Sequence, residues 1–405
     1  MTNSLRSAAV LVSFVLLVAG GPARAETAPV FQLVESWPVE TSLDLPEVPD
    51  AHEVWLEMID GANKSLDFGE FYAASEPGSR LEPVIEAIRR ASARGIRVRF
   101  LTDKGFYDKD PTTADRLAAI PGVELRTTAA FVELGGVMHC KYFVVDGREA
   151  FFGSQNFDWR SITHNQELGI RTSLPGIVTT LAAVFEADWK VAGGETGRVD
   201  QAEVPTFRVE RVALEGGEVL VQPALSPAGW LPDERNWDLP RLVDLINGAE
   251  TRIRVQLLNY ATVGYGGDLL RTLDTALKRA AVRDVQVEIL LANWAVKGKA
   301  LEDLRALQRT AGITVRIASI PEAATGFVPY ARVIHSKFMV VDSAWSWLGT
   351  SNWKPGYFFK SRNVGVVVDG AAFARQLDRL FENTWDSEYA AELDPDRDYK
   401  APKIH

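Results

Sequence analysis

The segment 139–156, HCKYFVVDGREAFFGSQN, places His139 and Lys141 two residues apart, followed by Asp146 and then by Gly153, Ser154 and Asn156. The same residue types return in the same order at 335–352, HSKFMVVDSAWSWLGTSN, as His335, Lys337, Asp342, Gly349, Thr350 and Asn352. An ammonium beside a neutral imidazole suits a phosphate ester. The lysine is a fixed charge for the non-bridging oxygens, and the imidazole attacks phosphorus or exchanges a proton. Two such sets let one histidine act as nucleophile while the other serves the leaving group in the same turnover. A lone His-x-Lys is most often a structural pair. Here a chain with 5 histidines repeats the whole series at identical spacing, which argues against coincidence.

The runs YFVVD and FMVVD read as strands, so His139 shares a face with Lys141 and His335 shares one with Lys337. Cys140, the only cysteine, then points to the opposite face, and Ser336 stands in its place in the second copy. No intrachain disulfide can form, and a thiol nucleophile is not expected. Gly153 and Gly349 are structural, allowing close backbone approach, while the hydroxyls of Ser154 and Thr350 and the amides of Asn156 and Asn352 are expected at the cleft. Asp146 and Asp342, at the far ends of the strands, are read as structural turn caps. Neither a metal nor another cofactor is expected, because each histidine is paired with a lysine and no dense His/Asp/Cys cluster appears. The copies differ further on: NQELGI puts Glu167 where SRNVGV puts Asn363. Glu167 orients the imidazole of its own half or crosses to His335, and both arrangements remain open. An amide at 363 accepts an N–H but offers an imidazolium no full negative charge.

These residues need a frame that is itself repeated. RLEPVIEAIRRASARGIRVRFLTD (80–103) and LLRTLDTALKRAAVRDVQVEILLA (269–292) each read as an amphipathic helix followed by a strand. A further helix and strand precede each unit, at 54–72 and 241–260. A glycine-bearing strand, the motif and a closing helix follow, the last at LAAVFEADW (181–189) and LDRLFENTW (377–385). The expected fold is α/β, two homologous domains with mixed sheets flanked by helices. The chain divides into a signal peptide (1–25), a first half (26–198) and a second half (199–405), with the junction in the Gly/Glu/Arg-rich passage 191–210. The start, MTNSLRSAAVLVSFVLLVAGGPARAE, has the basic, apolar and Ala-x-Ala pattern of an export leader. A periplasmic or secreted protein without a retained transmembrane segment is expected. A net charge of −10 disfavours a broad basic surface for duplex DNA but leaves room for a small positive cleft.

The doubled His-x-Lys-x4-Asp pattern, with its Gly-Ser/Thr-x-Asn partner, closely resembles the phospholipase D superfamily, and the resemblance runs from about 50 to 390. FGSQNFDWRSITHNQELGI and LGTSNWKPGYFF look most like the phospholipase D3/D4 branch and related poxviral envelope proteins. The resemblance implies that His139 forms a phosphohistidine, that His335 protonates the leaving oxygen and then activates water, and that Lys141, Lys337, Asn156 and Asn352 hold the non-bridging oxygens. Pseudo-symmetry alone permits the reverse assignment of the histidines. Substrate contacts are expected from Ser154, Thr350, Asn363, Tyr72, Trp159, Trp353 and Tyr357, with Phe71, Phe157 and Phe358 also near strand ends. The aromatic faces among these stack on bases, contact lipid or simply pack the domains together. Arg160, Lys354 and Lys360 are candidates for extending phosphate recognition. The branch implies a 5′-exonuclease on single-stranded DNA or RNA. A phospholipase or phospholipid transferase is the alternative, and a non-catalytic envelope-binding protein a third reading.

Overall fold

The computed structural model describes residues 28–195, 208–264 and 267–405. The expected leader (1–25) and the 198/199 junction lie outside the described residues.

Each half begins from helices whose apolar spacing dictates one buried face. Helix Ala51–Asp60 starts where the Asp50 carboxylate accepts the His52 N–H at 2.9 Å, and it buries Val54, Trp55, Met58 and Ile59. Helix Glu82–Ala93 buries Val84, Ile85, Ile88 and Ala91, a stripe at helical spacing, and the chain turns out of it at Gly95, where φ is +84°. Its counterpart Thr272–Val282 buries Leu273, Ala276, Leu277 and Ala280, and the same turn is made by Asp284 at φ 65°.

The first sheet has seven strands in the order Phe31–Ser36, Glu167–Thr172, Glu149–Gly153, Lys141–Val145, Ser65–Glu70, Arg97–Asp103 and Val123–Thr128. The last three run parallel, and the other pairings are antiparallel. The second sheet repeats this plan through Gly365–Asp369, Trp345–Gly349, Phe338–Val341, Arg252–Leu257, Gln286–Ala292 and Ile313–Ala318. It adds a hairpin, Glu210–Leu214 with Gly217–Pro223, at one edge and Ala390–Glu392 at the other. These are the two α/β domains with mixed sheets that the repeat predicts.

Alternation along the motif strands then decides where the halves meet. Met138, Cys140, Tyr142 and Val144 share one apolar cluster with Phe338, Val340 and Leu348 of the other half. Helices Pro175–Ala192 and Ala371–Trp385 contribute Leu181, Phe185, Leu377 and Phe381 to it. The odd-numbered residues Phe143 and Val145 face the outer cluster under the first two helices, and Met339 and Val341 face its equivalent. Cys140 is therefore a core side chain whose thiol burial pushes up.

Across this seam runs a fully buried ion pair. Arg362 Nε and Nη2 donate to both oxygens of Asp188 at 2.8 and 2.6 Å, and Arg362 Nη1 donates to the Trp230 carbonyl. Arg362→Met leaves the Asp188 carboxylate buried without its cation, and urea unfolding should show a loss of about 3–5 kcal/mol. The Arg362→Met/Asp188→Leu double variant should recover most of that loss, since a filled apolar site carries no stranded charge.

Candidate active site

The histidines are placed by the opposite half of the chain. At one crossing His139 N–H donates to the Arg362 carbonyl at 2.9 Å, and Arg362 N–H donates to the Val137 carbonyl at 3.0 Å. At the other, Gln166 N–H donates to the Val333 carbonyl at 2.9 Å and His335 N–H to the Gln166 carbonyl at 2.8 Å. Each crossing is a single parallel bridge, Met138 with Arg362 and Gln166 with Ile334. The residue after each bridge supplies the side-chain partner. His335 Nδ1 lies 2.7 Å from Glu167 Oε2, and His139 Nδ1 lies 3.1 Å from Asn363 Oδ1. The choice left open in the sequence is thus resolved: Glu167 crosses to His335. Each Nδ1 is committed to an oxygen, so each Nε2 is the nitrogen left to react.

The amide at 363 is itself oriented. Its Nδ2 donates to the Ser226 hydroxyl at 3.1 Å and to the Tyr357 carbonyl at 2.8 Å, and its Oδ1 also accepts from Thr350 Oγ1 at 2.9 Å. Thr350 Oγ1 in turn accepts the Val364 N–H, and Ser154 Oγ accepts the Leu168 N–H at 3.0 Å. Ser154, Thr350 and Asn363 are therefore corrected from substrate contacts to supports. Both hydroxyls are buried and spent on the strands that carry Glu167 and Asn363. The glycines serve the same seam: a Cβ on Gly153 would stand 2.5 Å from Gly169 Cα, and one on Gly365 would stand 2.7 Å from Gly349 Cα.

Lys141 and Lys337 are buried, and each Nζ donates to the carbonyl of its own histidine, His139 or His335. Burial drives the Lys141 ammonium well below its usual range, with repulsion from Lys337 adding to this. Burial likewise lowers Lys337 to about 7, against a restoring pull from Glu167. Burial also lowers both imidazoles. His139 is held well down, with Lys141, Lys337 and His335 all adding to the effect, whereas for His335 the Glu167 carboxylate opposes it. With each imidazole bridged and paired by a residue of the opposite half, the two histidines belong to one shared site.

The other motif residues fall into two groups. Asp146 accepts the N–H groups of Asn63, Lys64 and Ser65, and Asp342 those of Glu250, Thr251 and Arg252. Asn156 Nδ2 donates to the Tyr72 hydroxyl at 3.2 Å, and Asn352 Oδ1 accepts the Asn259 N–H at 3.3 Å. Asn156 Oδ1 and Asn352 Nδ2 are buried without a protein partner. The Phe71 ring lies 5.0 Å from the His139 ring, with Lys141 Nζ 4.7 Å above it, and the Tyr357 ring lies edge-on to His139 at 4.8 Å. Tyr72 and Trp159 are half-buried at the rim. Trp353 is a correction: it is fully buried and packs against Trp347 in the core, because the residue after Asn352 turns inward as Phe157 does after Asn156. Phe358 is buried in the same way.

Two site residues went unnoticed in the sequence. Ser226 comes from the segment that follows strand Gly217–Pro223, where no spacing relates it to the motif. Glu70 lies directly opposite Lys141 in the ladder; burial pushes its carboxyl well up, and Oε2 has no partner. Its signal was a carboxylate at the buried end of strand Ser65–Glu70, where the repeat has Leu257. Among the described residues no group of three or more His, Cys, Asp and Glu side chains is placed to hold a metal ion, and no helix is long and apolar enough to cross a membrane.

Comparison with known proteins agrees with this geometry. A family model described as the cardiolipin synthase, PLD-like domain, matches residues 55–189 and again 242–385. The chain is 30% identical over 382 residues to phospholipase D Z of Dictyostelium discoideum, covering 89% of this chain and 90% of that one. It is also 30% identical over 405 residues to the 5′-3′ exonuclease PLD3 of Homo sapiens, covering 90% and 81% respectively. The phosphatidylserine synthase of Haemophilus influenzae superposes with a TM-score of 0.59 over 84% of this chain and 85% of that one, at 14% identity, a likeness of fold. The matched stretches hold the two halves that meet at the histidines, and the chain accordingly belongs to the phospholipase D superfamily of phosphodiesterases.

Proposed function

We propose that the protein hydrolyses single-stranded nucleic acid from the 5′ end, without a metal, through a phosphohistidine on His139. The observation that carries the mechanism is the unequal pairing of the two imidazoles, an amide oxygen behind His139 and a carboxylate behind His335. A nucleophile must be neutral when it attacks, and an imidazole held low by burial and three cationic neighbours meets that need. A leaving-group acid must hold a proton, and the Glu167 carboxylate stabilises the imidazolium where an amide would not. His139 Nε2 then bonds to phosphorus as the bond to the leaving oxygen breaks, and His335 gives that oxygen its proton. Water next attacks the phosphohistidine, losing its proton to His335, and the N–P bond breaks. Lys141 and Lys337 neutralise the non-bridging oxygens throughout, and the Asn352 amide donates a hydrogen bond to them.

The substrate class draws on the exonuclease named among the similar proteins and on the ring series Phe71, Phe106 and Tyr72 beside His139, a surface for a base. The phospholipase D named among the same relatives sustains hydrolysis of a phospholipid, or transfer of its headgroup, as the second reading. Export to the periplasm or the medium, read from residues 1–25, forms part of the proposal.

The substrate is tested by offering the mature protein 5′-hydroxyl strands, 5′-phosphorylated strands and phosphatidylcholine in parallel, each with EDTA. Prompt release from the 5′-hydroxyl strand with little lipid turnover is expected; preferred lipid turnover selects the second reading, and loss of activity restored only by a divalent ion removes the metal-free scheme. The roles are tested by rapid quenching without acid, followed by peptide mass spectrometry. His139→Ala should yield no phosphoryl adduct, while His335→Ala should accumulate one on His139 from an activated ester. An adduct on His335 in the first variant and none on His139 in the second would reverse the roles. Finally, Glu167→Gln should lower kcat on an ordinary diester by about 10²–10⁴-fold, the range of a lost general acid. A p-nitrophenyl ester, whose leaving group needs little protonation, should lose much less.

A further inference from the structure

The two lysines of the site do not meet the same neighbour across the sheet. In the antiparallel pairing of Ser65–Glu70 with Lys141–Val145, Leu66 stands opposite Val145, Phe68 opposite Phe143 and Glu70 opposite Lys141. Side chains paired in this way share a face, with Cβ atoms about 4.5–5.5 Å apart. The first two pairs bear this out, since all four residues belong to the apolar cluster under the first two helices. Glu70 therefore closes the same row beside Lys141, and both are 1% exposed. In the second half the register of Ile253 with Val341 and Val255 with Met339 runs on to Leu257 and Lys337, so a buried apolar side chain takes the place of the carboxylate.

Glu70 and Lys141 are coupled by charge and not by a hydrogen bond. Lys141 Nζ is drawn to the His139 carbonyl and lies 4.7 Å from the centre of the Phe71 ring, while Glu70 Oε2 meets no donor. Burial disfavours the charged form of each, and each favours the charged form of the other. A buried amine and a buried carboxyl side by side hold one proton between them, and the pair carries no net charge whichever group keeps it. Lys337 is matched by Glu167, the carboxylate that also meets His335. With each lysine matched by one carboxylate, a His335 protonated for the leaving group gives the site a single positive charge in excess. Where water is excluded, that excess decides which anion fits, because any charge left unmatched stays buried.

We propose that Glu70, placed across the ladder from Lys141, acts through that lysine to set the charge of the site, so that the site takes a singly charged phosphodiester and turns away a doubly charged phosphomonoester. A bound diester leaves the filled site neutral. A monoester of similar size brings one more negative charge with no cation to meet it. Removing the carboxylate, as the second half does with Leu257, would free Lys141 to supply that cation. The inference rests on the paired histidine and lysine chemistry and not on the nucleic-acid reading, because a strand and phosphatidylcholine both present a singly charged diester to the histidines.

The test compares two small anions by titration calorimetry slightly above neutral pH: dimethyl phosphate, which carries one negative charge, and methyl phosphate, which carries two. Wild-type protein should bind dimethyl phosphate the more tightly. Glu70→Gln keeps the shape of the side chain and removes its charge. It should lower Kd for methyl phosphate by at least about tenfold relative to Kd for dimethyl phosphate, the scale of one buried charge at these separations. Glu70→Asp should keep the wild-type order. A merely structural role would move both constants together, so equal shifts in Glu70→Gln, or no shift in either, overturn the inference. Tighter binding of methyl phosphate by wild-type protein overturns it as well, and that measurement needs no variant to fold. Because binding is read without turnover, the result stands apart from whether strand or lipid is the substrate.

Discussion

The structure depends on an exchange of backbone between its halves. Each histidine stands just before its strand, and the main-chain bonds that fix it there come from a segment of the other half. The residue that follows each bridge then orients the imidazole. A strand edge would otherwise leave these N–H and C=O groups unpaired next to a buried charge, which is costly in a site this dry. The exchange satisfies them and, in the same step, aligns two Nε2 atoms on one cleft. Buried lysines, hydroxyl supports and the glycine seam all serve to keep these two crossings in register.

Duplication supplied the frame, and the departures from it supply the chemistry. At the crossings, Gln166 meets Thr384 at 2.7 Å, whereas its counterpart Arg362 meets Asp188, so one crossing is neutral and the other ionic. Behind the imidazoles the pair is Glu167 and Asn363; opposite the lysines it is Glu70 and Leu257; two residues past the motif asparagines it is Asp158 and Lys354. A perfectly symmetric site would give both histidines the same proton affinity. Attack and protonation require different affinities in the same turnover, and each of these substitutions moves the halves apart electrostatically while leaving the sheets unchanged.

The repeat made most of the fold legible. Strand alternation put His139 and Lys141 on one face and Cys140 on the other, and Asp146 and Asp342, read as caps from their far-end position, accept backbone N–H groups at the starts of neighbouring strands. What spacing could not carry was direction after a turn. Trp353 and Tyr357 lie four residues apart in one aromatic stretch, yet one packs under the sheet and the other against His139. Ser154 and Thr350 sit in the motif, but their hydroxyls turn back to the neighbouring strand, because buried N–H groups there need acceptors. Ser226 was invisible for the opposite reason: its place is set by tertiary contact with Asn363, and nothing local announces it.

The crossings also bear on how the molecule comes into being. Asn363 is 224 residues from the histidine it supports, and Glu167 is 168 residues from its own. Contacts of such long sequence separation form late, after the loop entropy between them has been overcome. A nascent chain that has completed only the first sheet holds His139 without its bridge or its amide, and Glu167 without an imidazole. Competence to cleave phosphodiesters therefore waits until the second half has folded against the first.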